Sequence, residues 1–278
     1  MSLRCALRQA WGFGSVSSVA HAARAVLLTA APEGKRRAAR DLARAWRAGR
    51  LAHRFDAAMP DQPAWPDQPE LLAPKYMPKR RAGSTLAGRV AMLHALAHIE
   101  FVAIDLAVDL VGRFGGQFPR AFTDDWLAVA ADEAMHFALL DRRLRTLGSH
   151  YGALPAHAGL WQAAAATADD ALARLAIVPM VLEARGLDVT PATIARFEAV
   201  GDARSAAILH RILTDEIRHV GAGTRWFRWA CDQRGFAAPD QWQQLVKARF
   251  RGSVKPPFNN SARDAAGLTQ EFYALIAS

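Results

Sequence analysis

Asp132-Glu133-Ala134-Met135-His136 and Asp215-Glu216-Ile217-Arg218-His219 are the two stretches whose reading decides the fold. Each contains Glu-x-x-His, and on a helix that spacing puts carboxylate and imidazole one turn apart on the same face. Apolar residues surround both at helical intervals. The first motif sits among Trp126, Val129, Ala130, Phe137 and Leu140, and the second among Leu209, Ile212, Leu213, Val220, Gly223 and Phe227. Both pairs are therefore expected to point at the core and not at water.

Two further stripes complete the pattern. Glu100 lies among Leu93, Leu96, Ala97, Ala103, Ile104 and Ala107, and Glu183 among Leu172, Ala176, Pro179, Met180 and Leu187. Half of the chain's eight glutamates thus fall in the middle of apolar helices. Glu133 follows Glu100 by 33 residues, and Glu216 follows Glu183 by the same 33, which predicts two helix pairs related by a pseudo-two-fold axis. Four carboxylates in one bundle core repel each other and lose hydration, so something must neutralise them. Two divalent cations would do so. Two Glu-x-x-His helices plus one glutamate from each of two others is the ligand set of bundle-core di-iron and di-manganese sites. Carboxylate and imidazole without thiolate suit iron or manganese better than structural zinc. The predicted ligands are Glu100, Glu133, His136, Glu183, Glu216 and His219, holding two iron ions, with manganese as the alternative.

Asp132 and Asp215 each precede the ligand histidine of their own helix by four residues. They are candidates to accept its second N–H; the alternative is a solvated charge on the helix shoulder. Arg218 can pair with either. Pro179, four residues before Glu183, is expected to kink its helix. His94, His98 and His210 read as core or helix-flank residues, and His53, His150 and His157 as loop residues. The tyrosines, Tyr76, Tyr151 and Tyr273, lie off the ligand helices.

The organisation is all-α. Residues 34–55 read as a basic amphipathic helix. Met59–Pro78 is broken by Pro60, Pro63, Pro66, Pro69, Pro74 and Pro78. Four long helices come next: one from a Ser84 cap to Phe114, one from a Thr123 cap to Leu147, one over Thr167–Leu187, and one over Asp202–Arg234. A short segment opened by Thr190-Pro191 is expected between the last two. Three parts result: a basic N-terminal helical extension and proline-rich connector (1–83), a four-helix bundle (84–235), and a C-terminal helix with an irregular tail (236–278).

A hydrophobic fraction of 51% against 22% charged is that of a folded chain. No uninterrupted apolar run reaches membrane-spanning length, so no membrane partner is expected and a cytoplasmic location is the default. Two cysteines, Cys5 and Cys231, make no disulfide framework. The first 32 residues, with Arg4, Arg8 and Arg24 and no acid, mildly suggest a targeting segment, but a simple amphipathic helix reads better. The net charge of +9 is uneven: residues 1–90 carry 16 Lys/Arg and 6 Asp/Glu, the remainder 19 and 20. That surplus fits either a polyanion footprint or an arginine-rich composition bias, since only five of the 35 cations are lysine.

The segment from about Leu86 to Gly235 resembles the ferritin-like superfamily of di-iron carboxylate proteins. More narrowly, HALAHIEFVAIDL, ADEAMHFALL, VLEARGLDVTP, DEIRHVGAGTRWF and KPPFNNSARDAAG resemble a bacterial ferritin-like family known as a domain of unknown function. The resemblance implies a ferritin-like bundle and the six ligands above. Asp215-Glu216-Ile217-Arg218-His219 is also similar to the Asp-Glu-x-Arg-His pattern of bacterial di-iron hydroxylases, and a tRNA-modifying di-iron monooxygenase is a more distant relative by architecture. The family resemblance implies no substrate. The chemistry expected is that of an O2-activating oxidoreductase acting on a small organic molecule or, by the architectural analogy, a tRNA nucleoside, with a reductant protein and nucleic acid as candidate partners. Asp132, Asp215 and Arg218 would tune the ligands. The alternatives are iron handling or peroxide detoxification, and a non-catalytic binding module stabilised by metal.

Overall fold

The computed structural model describes residues 17–77 and 85–277. Expectations placed on Arg4, Cys5, Arg8, Pro78 and Ser84 lie outside the described residues. All longer elements described are helical, and extended backbone is limited to isolated bridges such as Leu71 with Ala156. In chain order they are α1 (Val19–Leu27), α2 (Pro32–Arg47), α3 (Leu86–Phe114), α4 (Arg120–Thr146), α5 (Gly159–Ala165) and α6 (Ala171–Ile177). A π-helical turn (Val178–Glu183) then leads into α7 (Ala184–Ala199), followed by α8 (Ala203–Asp232), α9 (Ala238–Arg249), α10 (Asn260–Ala265) and α11 (Gln270–Tyr273).

Short polar side chains begin several of these helices by accepting otherwise unpaired N–H groups. Thr85 accepts from Gly88, Asp170 from Leu172 and Asp202 from Ser205. The caps correct several expected boundaries. Thr123 is buried inside α4, which starts after Pro119, so this threonine caps nothing. Thr167 precedes its helix and accepts from Arg174 Nε, while Asp170 holds the cap. The basic helix ends at Arg47, because Gly49 takes φ +65° and turns the chain left-handed.

The largest correction concerns Thr190-Pro191. No separate segment forms; α7 runs straight through Pro191. A proline inside a helix removes the N–H that would bond the carbonyl four residues back, here Leu187. The side chain of Asn259 supplies the missing donor, with Nδ2 3.1 Å from Leu187 O. Arg263 grips the same turn, reaching Asp188 at 2.8 and 2.7 Å. The tail expected to be irregular is thus the clamp that lets the helix continue.

α3 packs along α4, and α7 along α8, with α4 and α8 in contact between the pairs. Residues from every part share one core. Val19, Ala20, Leu42 and Trp46 from the first two helices are buried with Phe101, Trp126 and Phe227, and so are Trp242 and Phe272 from the C-terminal part. α3 is long and apolar enough to cross a membrane, yet two thirds of its apolar window (67%) is buried in this core. Its apolar run also carries fully buried Asp105 and Asp109. Asp105 accepts from Lys35 of α2 at 2.5 and 2.7 Å and from Trp65 Nε1 at 2.8 Å. Burial pushes the Asp105 carboxyl up to about 6 against the pull of Lys35, and pushes the Lys35 ammonium down. Asp109 pairs with Arg174 at 2.5 Å and with Arg113 at 3.0 Å, and Arg113 also reaches Pro60 O at 2.9 Å. These pairs tie the N-terminal helix and the proline-rich arm to α3.

Candidate metal centre

Four helical lines converge at mid-height of the bundle. α3 brings Glu100, α4 brings Glu133 and His136, the π turn ends on Glu183, and α8 brings Glu216 and His219. Pro179 was expected to kink this helix, and the local distortion is a widened π turn. Its ring packs against Gly223 of α8, where an added Cβ would stand 2.4 Å from Pro179 Cβ. The widened turn re-aims Glu183, the kind of local irregularity that recurs at functional sites. Trp242 Nε1 donates to Ala176 O at 3.2 Å beside it.

Glu100, Glu133, His136 and Glu216 are all buried and offer ligand atoms within 4.8 Å of one another. They form a cluster that could hold a metal ion. Glu133 sits at its centre. Its Oε2 lies 3.3 Å from His136 Nδ1, and its Oε1 2.9 Å from His219 Nδ1. His136 Nδ1 also faces Glu100 at 3.2 Å, and His219 Nδ1 faces Glu216 at 3.4 Å. The two imidazole rings are 5.7 Å apart. Glu183 is beside the set: its charge interacts with Glu216, Glu133 and His219, although it makes no hydrogen bond to them.

The donor atoms are poorly served by protein alone. Glu183 Oε2 is buried with no hydrogen-bond partner. His219 Nδ1 and Glu133 Oε1 approach each other closely, yet without hydrogen-bond alignment, so each is left unsatisfied. Such groups are costly unless something else binds them. Burial and neighbouring carboxylates raise Glu100 and Glu183 well above the usual range, and burial raises Glu216. For Glu133, burial acts upward, but His219 and His136 overcome it and hold the carboxyl low. Burial opposes charge on His136, but Glu100 and Glu133 outweigh it and lift the imidazole to about 11. His219 is likewise raised, by Glu133 and Glu216. A divalent cation would replace these protons and satisfy the orphaned lone pairs together. The residues fit a metal.

The outer partners are arranged differently from the expectation. Asp132 and Asp215 do not serve the histidines of their own helices. His136 Nε2 faces Asp215 Oδ2 at 3.1 Å, and His219 Nε2 faces Asp132 Oδ2 at 3.4 Å, so each aspartate reaches across to the other helix. Both contacts leave Nδ1 as the nitrogen turned toward the carboxylates. Arg218 touches both aspartates, pairing closely with Asp215 and standing 3.4 Å from Asp132. Arg211 Nε donates to Asp215 Oδ2 at 2.6 Å. Arg211 was not among the residues expected here, although its place one turn before Asp215 is a signal the sequence carries.

His94 and His98 are satisfied away from this centre, as expected for core histidines. His94 Nε2 accepts from Gly152 N at 2.9 Å. His98 Nε2 donates to His157 O, and its Nδ1 meets the Tyr151 hydroxyl at 2.9 Å. The loop after α4 brings that tyrosine against Phe101 and Phe137, each adjacent in sequence to a predicted ligand. Sequence spacing gave no hint of that placement.

A surface groove of about 760 Å³ runs between α4 and α8 beneath the end of α10, lined in part by Asp132, Arg218, His219, Arg225, Arg228 and Trp229. It is large enough for a small organic molecule.

A family model described as a protein of unknown function (DUF455) matches residues 28–274, nearly the whole chain. The chain belongs to the DUF455 family. This DUF455 protein is also similar to an uncharacterized protein of Haemophilus influenzae (strain ATCC 51907 / DSM 11121 / KW20 / Rd), at 44% identity over 213 residues covering 74% of each chain. No solved structure matches it significantly. The span matched by the family includes every residue of the centre and both ends of the clamp from Asn259 and Arg263 to α7.

Proposed function

We propose that this DUF455 protein is a ferritin-like, O2-dependent dimetal oxidoreductase that oxidises or hydroxylates a small organic molecule. Glu100, Glu133 and His136 would hold one ion, and Glu183, Glu216 and His219 the other. The observation that carries this reading is Glu133, each of whose two oxygens faces a different imidazole. Iron is the metal best suited to this donor set and reaction, with manganese sharing the same chemistry of ligands. When bound, a ferrous pair supplies the electrons that reduce dioxygen.

The chain's own residues have definable parts. Asp215 and Asp132 hold the histidines with Nε2 protonated and Nδ1 free to ligate. Against the upward push of burial, Arg211, His136 and Arg218 keep Asp215 ionised, drawing its carboxyl down to about 2. The apolar residues around the cluster, Ala97, Ala130, Met180 and Ile212 among them, exclude bulk water. The groove along α4 and α8 offers a substrate or a reductant a seat next to His219 and Asp132.

Anaerobic loading with ferrous iron tests the proposal. About two irons per chain should bind, and admitting air should consume O2 and change the near-ultraviolet absorption. Retention of two irons with neither response would remove the enzyme reading while leaving the metal site standing.

A further inference from the structure

Part of the basic surplus of residues 1–90 lies on α2, which carries six Lys/Arg against two Asp/Glu. If composition bias alone had produced it, the remainder of the chain would show it too, and that part is balanced at 19 basic and 20 acidic residues. The outward side of α2 presents its arginines as a line. Arg37, Arg40, Arg44 and Arg47 follow one another at three or four residues and are all exposed, on the face away from buried Ala39, Leu42, Ala43 and Trp46. Arg50 continues the line beyond Gly49. Arg120 of α4 joins at that end, its guanidinium 3.8 Å over the ring of Trp46. Glu33 and Asp41 pair with Arg36, Arg37 and Arg44, whereas Arg40, Arg47 and Arg50 have no carboxylate within ion-pair reach among the described residues.

We infer that this arginine ridge is a docking surface for the phosphate backbone of a folded RNA. One guanidinium per turn places cations about 5 Å apart along the axis, and arginine binds phosphate oxygens through paired N–H groups. The exposed face carries arginines, Glu33, Asp41 and Ala48, with no aromatic or large aliphatic side chain to enter a lipid surface; a membrane-lying helix needs such residues. Duplex DNA is usually read by a helix that enters its major groove. α2 lies against α4 along its inner face, so its arginine face is the one left free. It can lie across a backbone or a wide, shallow groove, which A-form RNA offers. The inference goes beyond the metal reading and does not depend on it.

The test is equilibrium binding of the full-length protein to a bulk transfer-RNA pool, measured by fluorescence anisotropy from roughly 50 to 300 mM salt. Binding should weaken steeply with salt. Replacing Arg40, Arg47 and Arg50 together by Gln should lower affinity at least about tenfold and reduce the log–log salt slope by about two to three. The same three changed to Lys should retain most binding, and Arg204→Gln on α8 should change nothing. Circular dichroism and metal content of the triple Gln variant should match the unchanged protein, which separates this surface from the metal centre. The proposal is overturned by absence of binding at the lowest salt, by undiminished binding of the triple Gln variant, or by equal loss in Arg204→Gln. It is also overturned if duplex DNA or phosphatidylserine vesicles bind as tightly as the RNA.

Discussion

At the scale of single residues, the centre combines raised carboxyls with raised imidazoles, and this fixes how the metal-free protein should respond to pH. A group whose folded pKa lies above its unfolded value adds stability that is fully present below the unfolded value and lost as pH rises through the folded one. Glu100, Glu183 and Glu216 lose theirs upward from about 4.5, and His136 and His219 upward from about 6.5. Both sets act in the same direction. Burial pushes His94 and His98 down to about 4, and these two oppose the trend only below about 6.5. The metal-free protein should therefore melt at progressively lower temperature as pH is raised from 7 to 9. Glu133 is held low and loses stability only below its ordinary range, outside that window. Thermal melts of chelator-treated protein across the window check this, and a flat or rising profile would contradict the charge arrangement. Metal loading should reverse the trend, because the protons must leave before the cation binds. Stoichiometry then separates the ligands. Glu133→Ala, which removes the carboxylate common to both imidazoles, should abolish loading almost entirely, whereas Glu100→Ala should leave close to one ion per chain by elemental analysis. Asp215→Asn keeps the shape but weakens the hold on His136, and a loss of about 10- to 100-fold in metal affinity is expected.

Elements show why some of this was legible in the sequence and some was not. Glu-x-x-His is a local fact: 3.6 residues per turn bring Glu133 under His136 whatever the neighbouring helix does. The two motifs, their apolar stripes and the spacing from Glu100 and Glu183 therefore led directly to a converging cluster. The partner of each aspartate depends on how α4 and α8 are set against one another, and no periodicity within one helix encodes that register. The intrahelical pairing expected for Asp132 and Asp215 failed for this reason. Pro191 failed differently. Proline is a local helix breaker, and the donor that compensates for it, Asn259, lies 72 residues from Leu187 in sequence. Asn259→Ala should leave the Leu187 carbonyl without that donor and cost about 1–3 kcal/mol by chemical denaturation. The π turn makes a sharper test. Gly223 is the only kind of residue that admits the Pro179 ring at this distance, so Gly223→Ala must push the turn and its Glu183 outward. Metal content should fall although no ligand has been changed.

For the whole molecule, the question is what makes the N-terminal extension part of the same body as the bundle. Burial of Val19, Leu42 and Trp46 supplies most of the adhesion, but the register is set by Lys35, whose ammonium is inserted beside Asp105 in the middle of α3. Neither side chain is exposed to solvent, so the attraction between them offsets a large desolvation cost without necessarily exceeding it. Removing one partner strands the other. Lys35→Met should therefore destabilise the fold by about 3–5 kcal/mol, as read from urea unfolding. Asp105 would then be uncompensated except for Trp65, and its carboxyl should take up a proton. Changing both residues, Lys35→Met with Asp105→Leu, removes the stranded charge, and most of the lost stability should return. If the double change is as damaging as the single one, the pair contributes net stability and not only alignment. Either way the arginine ridge rides on the same helix. Lys35→Met should loosen α2 and weaken RNA binding, whereas the repacked double variant should recover it with no arginine altered. That recovery would distinguish a rigid ridge from a set of independent charges, because flexible charges would bind alike in all three proteins.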